Sequence, residues 1–305
     1  MNLKRREFLK RSALSLTGLV VGTRLLPAAE SRAAHFDPFE RVPLGRTGLK
    51  VSRICLGTGM RGWMRESNQT RLGREAFEKL IRGAFERGVN LFDLADLYGS
   101  HPFVPDALKG IPRDRYVLIS KIWWRENGLP EQERPDADVI VTRFLKELQT
   151  DYVDLVLLHC VTSAKWPEEL ARQMEILEGL KKKGTIRAHG VSCHSIEALE
   201  AAARHPWVQS VNTRINPYGV KMDGPPEKVV PVLKEIHAAG KGVVGMKIIG
   251  EGEFRDSEEK RDASVQFALH LGCVDTLCVG CESLAELDDL AARIRKVPRP
   301  ARAAS

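Results

Sequence analysis

The chain has 305 residues, of which 43% are hydrophobic and 29% are charged, as in ordinary globular proteins. This composition excludes a collagen-like, a disordered or a multi-span membrane protein. The formal net charge is +7, but most of the excess lies in the first 33 residues. The remaining surface is therefore not basic enough to indicate nucleic-acid binding, and we expect none.

The first 33 residues have the layout of a secretory leader: a basic start, a modest apolar run over residues 13–21, and small residues before an expected cleavage point after Ala33. The apolar run is shorter than the roughly 20 residues of a membrane-spanning helix. Arg5 and Arg6, followed by Glu-Phe-Leu-Lys, resemble the bacterial twin-arginine signal.

This resemblance predicts recognition by the twin-arginine export machinery, a periplasmic location and a transient membrane contact through the leader. Because that machinery exports folded proteins, a cofactor could be loaded before export. The alternative is a basic amphipathic helix that stays on the protein. Six cysteines follow the leader, and because most lie in or beside predicted strands we expect free thiols. They are Cys55, Cys160, Cys193, Cys273, Cys278 and Cys281.

After the leader the sequence becomes regular. A hairpin is predicted over Arg41–Ser52, with Gly45 and Gly48 in its turn. Eight apolar runs then alternate with eight amphipathic stretches. The predicted strands are Ile54–Gly57, Asn90–Leu94, Tyr116–Ile122, Val153–His159, Arg187–Ser192, Val208–Ile215, Gly242–Ile249 and Thr276–Gly280. The predicted helices are Arg74–Arg87, Val104–Lys109, Asp138–Leu148, Glu168–Lys183, Ile196–Arg204, Glu227–Ala239, Ser257–Leu271 and Leu284–Ile294.

Strands that are apolar throughout are typical of a parallel sheet buried on both faces. Eight strand–helix units predict a (β/α)8 barrel over residues 41–297, an α/β fold of roughly 250 residues in one domain. Four glycines are expected to close helices, namely Gly88, Gly184, Gly240 and Gly272. The glycine-rich turn of a doubly wound sheet is present only as a fragment after the first strand, so we exclude that fold. From Arg293 onward the basic chain is expected to be solvated, with residues 298–305 as a tail.

Catalytic residues of such a barrel lie at the C-terminal ends of its strands. The second barrel strand ends at Asp93, and Tyr98 follows in the next loop. Lys121 ends the third strand and His159 ends the fourth. We therefore expect these four side chains to converge at the mouth of the barrel.

The four residue types make a chemical unit. A phenol has a pKa near 10 in water, and a neighbouring ammonium group should lower it and make Tyr98 a better general acid. A buried Lys121 needs a carboxylate to stay charged, which Asp93 supplies. His159 can donate a hydrogen bond to a carbonyl oxygen. The unit would polarise a carbonyl and protonate the resulting alkoxide, with hydride from an external cofactor.

These segments resemble the aldo-keto reductase family over nearly the whole chain after Arg41. The hairpin Pro43–Ser52, the segment Phe92–Gly99, Lys121 and His159 carry the resemblance. It implies NAD(P)H-dependent interconversion of a small carbonyl compound, sugar-derived compounds included, and an alcohol. Tyr98 would be the general acid, tuned by Lys121 and Asp93, and His159 would orient the carbonyl.

The resemblance also implies cofactor contacts, although several of these positions depart from the family pattern. Asn212 stands where many members have Gln, Cys193 where they have Asn, and Met246-Lys247 where some have a stacking aromatic residue. Backbone amides at the start of the last helix suit a phosphate. The implied cofactor-binding residues are Ser192, Asn212, Lys247, Gly280, Ser283 and Glu286.

Acidic residues around the last helix should repel the extra phosphate of NADP, so the sequence favours NAD over NADP. These residues are Glu282, Glu286, Asp288 and Asp289. Arg214, on a predicted barrel strand, needs a charged partner or a phosphate or carboxylate ligand. Trp123 and Trp124 either line the substrate pocket or pack within their loop.

Two alternatives stay open at this stage. The altered cofactor segments also fit a catalytically idle barrel that acts as a periplasmic binding protein. Histidine and cysteine side chains near the strand ends would fit a metal-dependent enzyme instead. The residues concerned are His101, His159, Cys160, Cys193, His194 and Cys281.

Overall fold

A computed structural model describes residues 34–300, so the predicted leader and the last five residues lie outside it. The strands are β1 Arg41–Pro43, β2 Lys50–Ser52, β3 Ile54–Gly57, β4 Leu91–Asp93, β5 Val117–Ile122, β6 Val153–Val161, β7 Ile186–Cys193, β8 Ser210–Arg214, β9 Gly242–Met246 and β10 Thr276–Val279. The α-helices are α1 Arg74–Arg87, α2 Val104–Ala107, α3 Ala137–Leu148, α4 Trp166–Glu169, α5 Ala171–Lys182, α6 Ile196–Arg204, α7 Pro226–Ala238, α8 Glu258–His270 and α9 Leu284–Lys296. None of these helices is long and apolar enough to cross a membrane.

The eight strands β3 to β10 form a closed barrel in which each strand pairs in parallel with its sequence neighbours and β10 pairs with β3. This confirms the predicted (β/α)8 architecture. Strand alternation divides the apolar residues into two clusters. In β3, Cys55 packs inside the barrel, whereas Ile54 and Leu56 face the surrounding helices.

The predicted hairpin is confirmed, with β1 and β2 antiparallel. It closes the N-terminal end of the barrel, because Leu44, Leu49 and Val51 belong to the same buried cluster as the barrel interior. A Cβ on Gly45 would lie 2.3 Å from the backbone nitrogen of Gly242, so only glycine permits this approach. The candidate active site lies at the opposite, C-terminal end of the barrel.

Tertiary packing shifts several element boundaries. The helix expected over Glu168–Lys183 is two helices, because Leu170 leaves helical geometry (φ −114°, ψ 16°) between α4 and α5. Trp166 is fully buried there and donates from Nε1 to the Ala198 carbonyl oxygen at 3.3 Å. The strand predicted to Ile249 ends at Met246, because Lys247 takes a left-handed φ of 57°. The four helix-closing glycines all have positive φ, as predicted.

The expectation that the chain is solvated from Arg293 onward is wrong for the residues that the structure describes. Arg293 is buried in α9 and forms ion pairs with Asp289 and Asp262. Further on, the Arg299 backbone N–H donates to the Ala34 carbonyl oxygen at 2.7 Å. The end of the chain, as far as residue 300, is therefore attached to the barrel.

Candidate active site

Three neighbouring strands and one turn bring the four predicted catalytic side chains together. Asp93 ends β4, Lys121 lies near the end of β5, and His159 lies near the end of β6. Tyr98 ends the 3-10 turn Asp96–Tyr98, which begins three residues after Asp93. All four side chains are buried, as expected for groups that face the barrel axis at its C-terminal end.

The four side chains form a continuous chain of contacts. Lys121 Nζ donates to Asp93 Oδ2 at 2.6 Å, to the Leu94 carbonyl oxygen at 2.9 Å and to the Tyr98 hydroxyl at 3.5 Å. The Tyr98 hydroxyl lies 3.4 Å from His159 Nε2 on its other side. The phenol oxygen is thus placed between an ammonium group and an imidazole.

The β3–α1 loop fixes the ring of Tyr98. A Cβ on Gly59 would lie 2.2 Å from the ring carbons Cε2 and Cζ, and a Cβ on Gly62 would lie 2.4 Å from Cδ1. No real side chain fits at such distances, so the two glycines let the loop backbone pack on the ring. Gly99, directly after Tyr98, has a φ of 65° and reverses the chain there.

Burial and charge act in opposite directions on the two central groups. Burial by itself would lower the pKa of Lys121, but Asp93 raises it well above the ordinary value and keeps the ammonium charged. Burial raises the pKa of Tyr98 to about 12, and the opposing effect of Lys121 does not cancel it. The expectation of a lowered phenol pKa is therefore wrong, because desolvation exceeds the attraction of the ammonium.

His159 is neutral at physiological pH, because burial and the charge of Lys121 hold its pKa well below the ordinary value. Its Nδ1 has no hydrogen-bond partner among residues 34–300. Trp124 Nε1 donates to the His159 carbonyl oxygen at 2.7 Å, and the Trp123 ring packs edge-on to the imidazole at 5.3 Å. Both tryptophans therefore contact His159.

Asn212 and Ser192, predicted to bind the cofactor, lie on β8 and β7. Asn212 Nδ2 donates to Asp93 Oδ1 at 3.0 Å, so this residue also supports the carboxylate that holds Lys121. Asn212 Oδ1 and Ser192 Oγ are buried without a partner within the described chain. One acceptor and one hydroxyl left open beside the catalytic side chains suit the carboxamide of a nicotinamide ring.

A cleft with an empty volume of about 1020 Å³ begins at Asp93 and Tyr98 and runs between the ends of β9 and β10 toward α8 and α9. Lys247, Gly280 and Glu286, three of the residues predicted to bind the cofactor, line it. Ser283 is not among the lining residues. Its hydroxyl caps α9 by accepting from the Glu286 backbone N–H, while Glu286 accepts from the Glu282 backbone N–H at 2.8 Å.

The far end of the cleft contains three arginines that the sequence analysis missed, namely Arg255, Arg261 and Arg293. Arg261 and Arg293 both pair with Asp289, and Arg255 pairs with Glu282. The sequence predicts an acidic surface around the last helix, and the structure adds that Glu282 and Asp289 in it are paired with arginines. The alternating charges of residues 255–262 were the sequence signal that could have indicated these ion pairs. The partners of these charges, however, lie about 30 residues further along the chain.

Other groups of interest are placed as follows. Arg214 has the partner that it requires, since its Nε donates to Asp223 Oδ1 at 2.8 Å. None of the six cysteines is in a disulfide, and Cys55 and Cys278 lie directly opposite each other on paired strands. Within residues 34–300, no three His, Cys, Asp or Glu side chains are grouped so that they could hold a metal ion.

Comparisons with known proteins agree with this geometry. Aldo-keto reductase YhdN of Bacillus subtilis is 32% identical over 209 residues, which cover 64% of this chain and 59% of that protein. The NADH-specific methylglyoxal reductase of Escherichia coli is 30% identical over 173 residues, which cover 50% of this chain and 52% of that protein. The chain thus spans little more than half the length of these curated relatives.

Solved structures give the same assignment. A Pseudomonas aeruginosa protein assigned to the aldo-keto reductases superposes with a TM-score of 0.69 at 25% identity, covering 87% of this chain and 97% of that one. The model of the aldo/keto reductase family matches residues 53–301, which include all barrel strands and the four convergent side chains. The chain belongs to the aldo/keto reductase family.

Proposed function

We propose that the protein is an NAD(P)H-dependent oxidoreductase that interconverts a small aldehyde or ketone and the corresponding alcohol. The observation that supports this most is the placement of the Tyr98 hydroxyl, 3.5 Å from Lys121 Nζ and 3.4 Å from His159 Nε2, at the start of the long cleft. Membership of the family and the relatives' names agree with this activity. An idle barrel has no comparable support, because all four side chains are present and in contact.

In the proposed reduction, the neutral His159 holds the substrate carbonyl beside Tyr98, and the Tyr98 hydroxyl transfers its proton to the carbonyl oxygen. A bound nicotinamide cofactor would supply the hydride for the carbonyl carbon. Lys121 then stabilises the phenolate, because its ammonium lies 3.5 Å from the phenol oxygen and both groups are buried. Asp93 keeps Lys121 protonated through Oδ2. Asn212 holds Asp93 in place by donating a hydrogen bond to its other carboxylate oxygen, Oδ1.

The residues fit the cofactor that the family implies. Asn212 Oδ1 and Ser192 Oγ would bind the carboxamide, and the cleft beyond Gly280 would hold the rest of the dinucleotide. We propose NAD as the preferred cofactor. Around the far end, the charges of Arg255, Arg261 and Arg293 are already matched by carboxylates, so an added phosphate finds no unpaired arginine there among residues 34–300.

The test is Tyr98→Phe, with turnover of an aromatic aldehyde followed by the absorbance of the reduced cofactor. Loss of the general acid should lower kcat by about 10²- to 10⁴-fold, while quenching of tryptophan fluorescence shows that cofactor binding persists. Tyr116→Phe is the matched control, because Tyr116 precedes β5 at the opposite end of the barrel. Unchanged turnover in Tyr98→Phe would overturn the proposed role.

We also propose that residues 1–33 direct the folded protein to the periplasm through the twin-arginine machinery. The basic start with Arg5 and Arg6 and the short apolar run support this. Replacing both arginines by lysine in the full chain should leave the protein in the cytoplasmic fraction of a Gram-negative host. Equal amounts of both forms in the periplasmic fraction would contradict the proposal.

A further inference from the structure

Two arginines lie at the mouth of the barrel near His159, and neither has a role in the proposed reduction of a simple carbonyl. We call Arg125 and Arg214 the mouth arginines. Arg125 lies in the loop after β5, and Arg214 is the last residue of β8. Each therefore belongs to the end of the barrel where Tyr98 acts.

Arg214 lies one layer closer to the mouth than the cofactor-facing residues. It follows Asn212 by two residues on β8, so both side chains face the same way. Burial and the nearby charge of Arg214 lower the pKa of His194 to about 3, and the rings of His194 and His159 are 6.3 Å apart. Arg214 is thus close to the imidazole pair above the reacting position.

Arg125 lies near the same group as Arg214, because the charges of both arginines act on the Cys160 thiol. Its Nη1 lies 3.7 Å from Cys160 Sγ, and its Nη2 donates to Thr162 Oγ1 at 3.2 Å. Cys160 directly follows His159 and has a left-handed φ of 59°, where the pairing register of β6 shifts. Among residues 34–300, no carboxylate forms an ion pair with Arg125, and its side chain forms hydrogen bonds only with Cys160 and Thr162.

The charge around the mouth arginines is not balanced. His159 and His194 are neutral, and the one carboxylate paired with either arginine in the described chain is Asp223, which binds Arg214. Asp223 Oδ2 and His194 Nδ1 are buried without hydrogen-bond partners within residues 34–300. Two guanidinium groups with one carboxylate leave a net positive charge, and partly buried charge of this kind favours an anionic ligand.

We propose that the substrate carries a carboxylate that binds the mouth arginines while its aldehyde or ketone group lies between Tyr98 and His159. The substrate class is then an oxo acid. The reaction adds hydride from the reduced nicotinamide to the carbonyl carbon and the Tyr98 proton to the oxygen, giving a hydroxy acid and the oxidised cofactor. This inference rests on the proposed function and adds the substrate class.

The test uses three oxo acids, namely glyoxylate, succinic semialdehyde and 4-carboxybenzaldehyde. Each acid is compared with its own neutral methyl ester. For the wild-type protein, at least one acid should exceed its ester in kcat/KM by about tenfold, which corresponds to one charged hydrogen bond of about 1.4 kcal/mol. The Arg125→Gln substitution should bring that ratio close to one. Arg172→Gln is the matched control, because Arg172 is exposed on α5 and should keep the wild-type ratio.

A single change at Arg214 would leave Asp223 buried and unpaired, so the second variant replaces both, as Arg214→Gln with Asp223→Asn. It should also reduce the preference for the acid. Equal kcat/KM for acid and ester in the wild-type protein would overturn the inference while leaving the proposed function intact. A raised KM for the cofactor, with an unchanged acid-to-ester ratio in the Arg125 variant, would also overturn it. No turnover of any ester or acid would instead contradict the proposed function.

Discussion

The proton of Tyr98 is subject to opposing influences, and their balance predicts a pH profile. Burial raises the pKa of the phenol to about 12 despite Lys121. A general acid works while protonated and loses activity as pH rises through its pKa in the folded protein. The value of kcat/KM for reduction should therefore stay level between about pH 7 and about pH 10, whereas oxidation of the alcohol should rise with pH over this range.

Measurement of kcat/KM in both directions, with a stopped-flow assay for the alkaline points, checks this profile. His159 should add no inflection near neutrality, because its pKa lies well below the ordinary value. A reduction rate that falls already at about pH 8 would show that Lys121 has the larger effect on the phenol, contrary to the structure.

Asp93 should matter to stability as well as to activity. Asp93→Asn leaves the ammonium of Lys121 buried without its counterion, which should cost about 3–5 kcal/mol in the free energy of unfolding. Adding Lys121→Met removes that charge and should recover most of the lost stability. Urea denaturation measures the free energy, and the double variant should stay inactive. If the double variant were less stable than Asp93→Asn alone, the buried charge would not be the cause.

At the scale of elements, the β3–α1 loop should control activity through the position of the Tyr98 ring. The Cβ added by Gly59→Ala would overlap the ring, because three of its carbons would lie within 2.4 Å of that Cβ. We expect kcat/KM to fall by more than about tenfold, because a general acid displaced by about 1 Å loses its alignment.

The matched control is Gly179→Ala in α5, where a Cβ meets nothing within 4 Å. It should keep full activity and gain about 0.5–1 kcal/mol of stability from the lower entropy of the unfolded chain. Thermal unfolding and kcat/KM of both variants provide the comparison. Full activity in Gly59→Ala would mean that the loop yields and does not position the ring.

The extent of sequence-based prediction also differs between elements. Hydrophobic periodicity predicted all eight barrel strands and the order of the helices, because each strand–helix unit satisfies the same burial pattern. It placed the end of β9 three residues too late, since the left-handed φ of Lys247 depends on tertiary contacts. It also missed the charge pairs around α8 and α9, because Asp289 and Arg261 meet only in the folded chain.

For the whole molecule, the barrel separates stability from chemistry. The hairpin closes one end with Leu44 and Val51, and the reacting groups occupy the other end. The convergence of Asp93, Lys121 and His159 at that end could be predicted, because it follows from strand order alone. The effect of burial on the pKa of Tyr98 could not be predicted, because it depends on how completely the β3–α1 loop covers the phenol.

Cofactor preference is a property of the whole cleft, and mass action makes it measurable through stability. NADH at about 100 times its Kd should stabilise the fold by about 2.7 kcal/mol, and NADPH at the same concentration by less. Glu286→Gln should reduce the ratio of the NADPH Kd to the NADH Kd by about two- to fivefold. The reason is that glutamine keeps the cap of α9 but removes one carboxylate from the cleft. Glu235→Gln changes the net charge equally on α7, away from the cleft, and should leave the difference unchanged. A larger thermal shift with NADPH in the wild-type protein would show that the arginines at the far end of the cleft exchange their carboxylates for the phosphate.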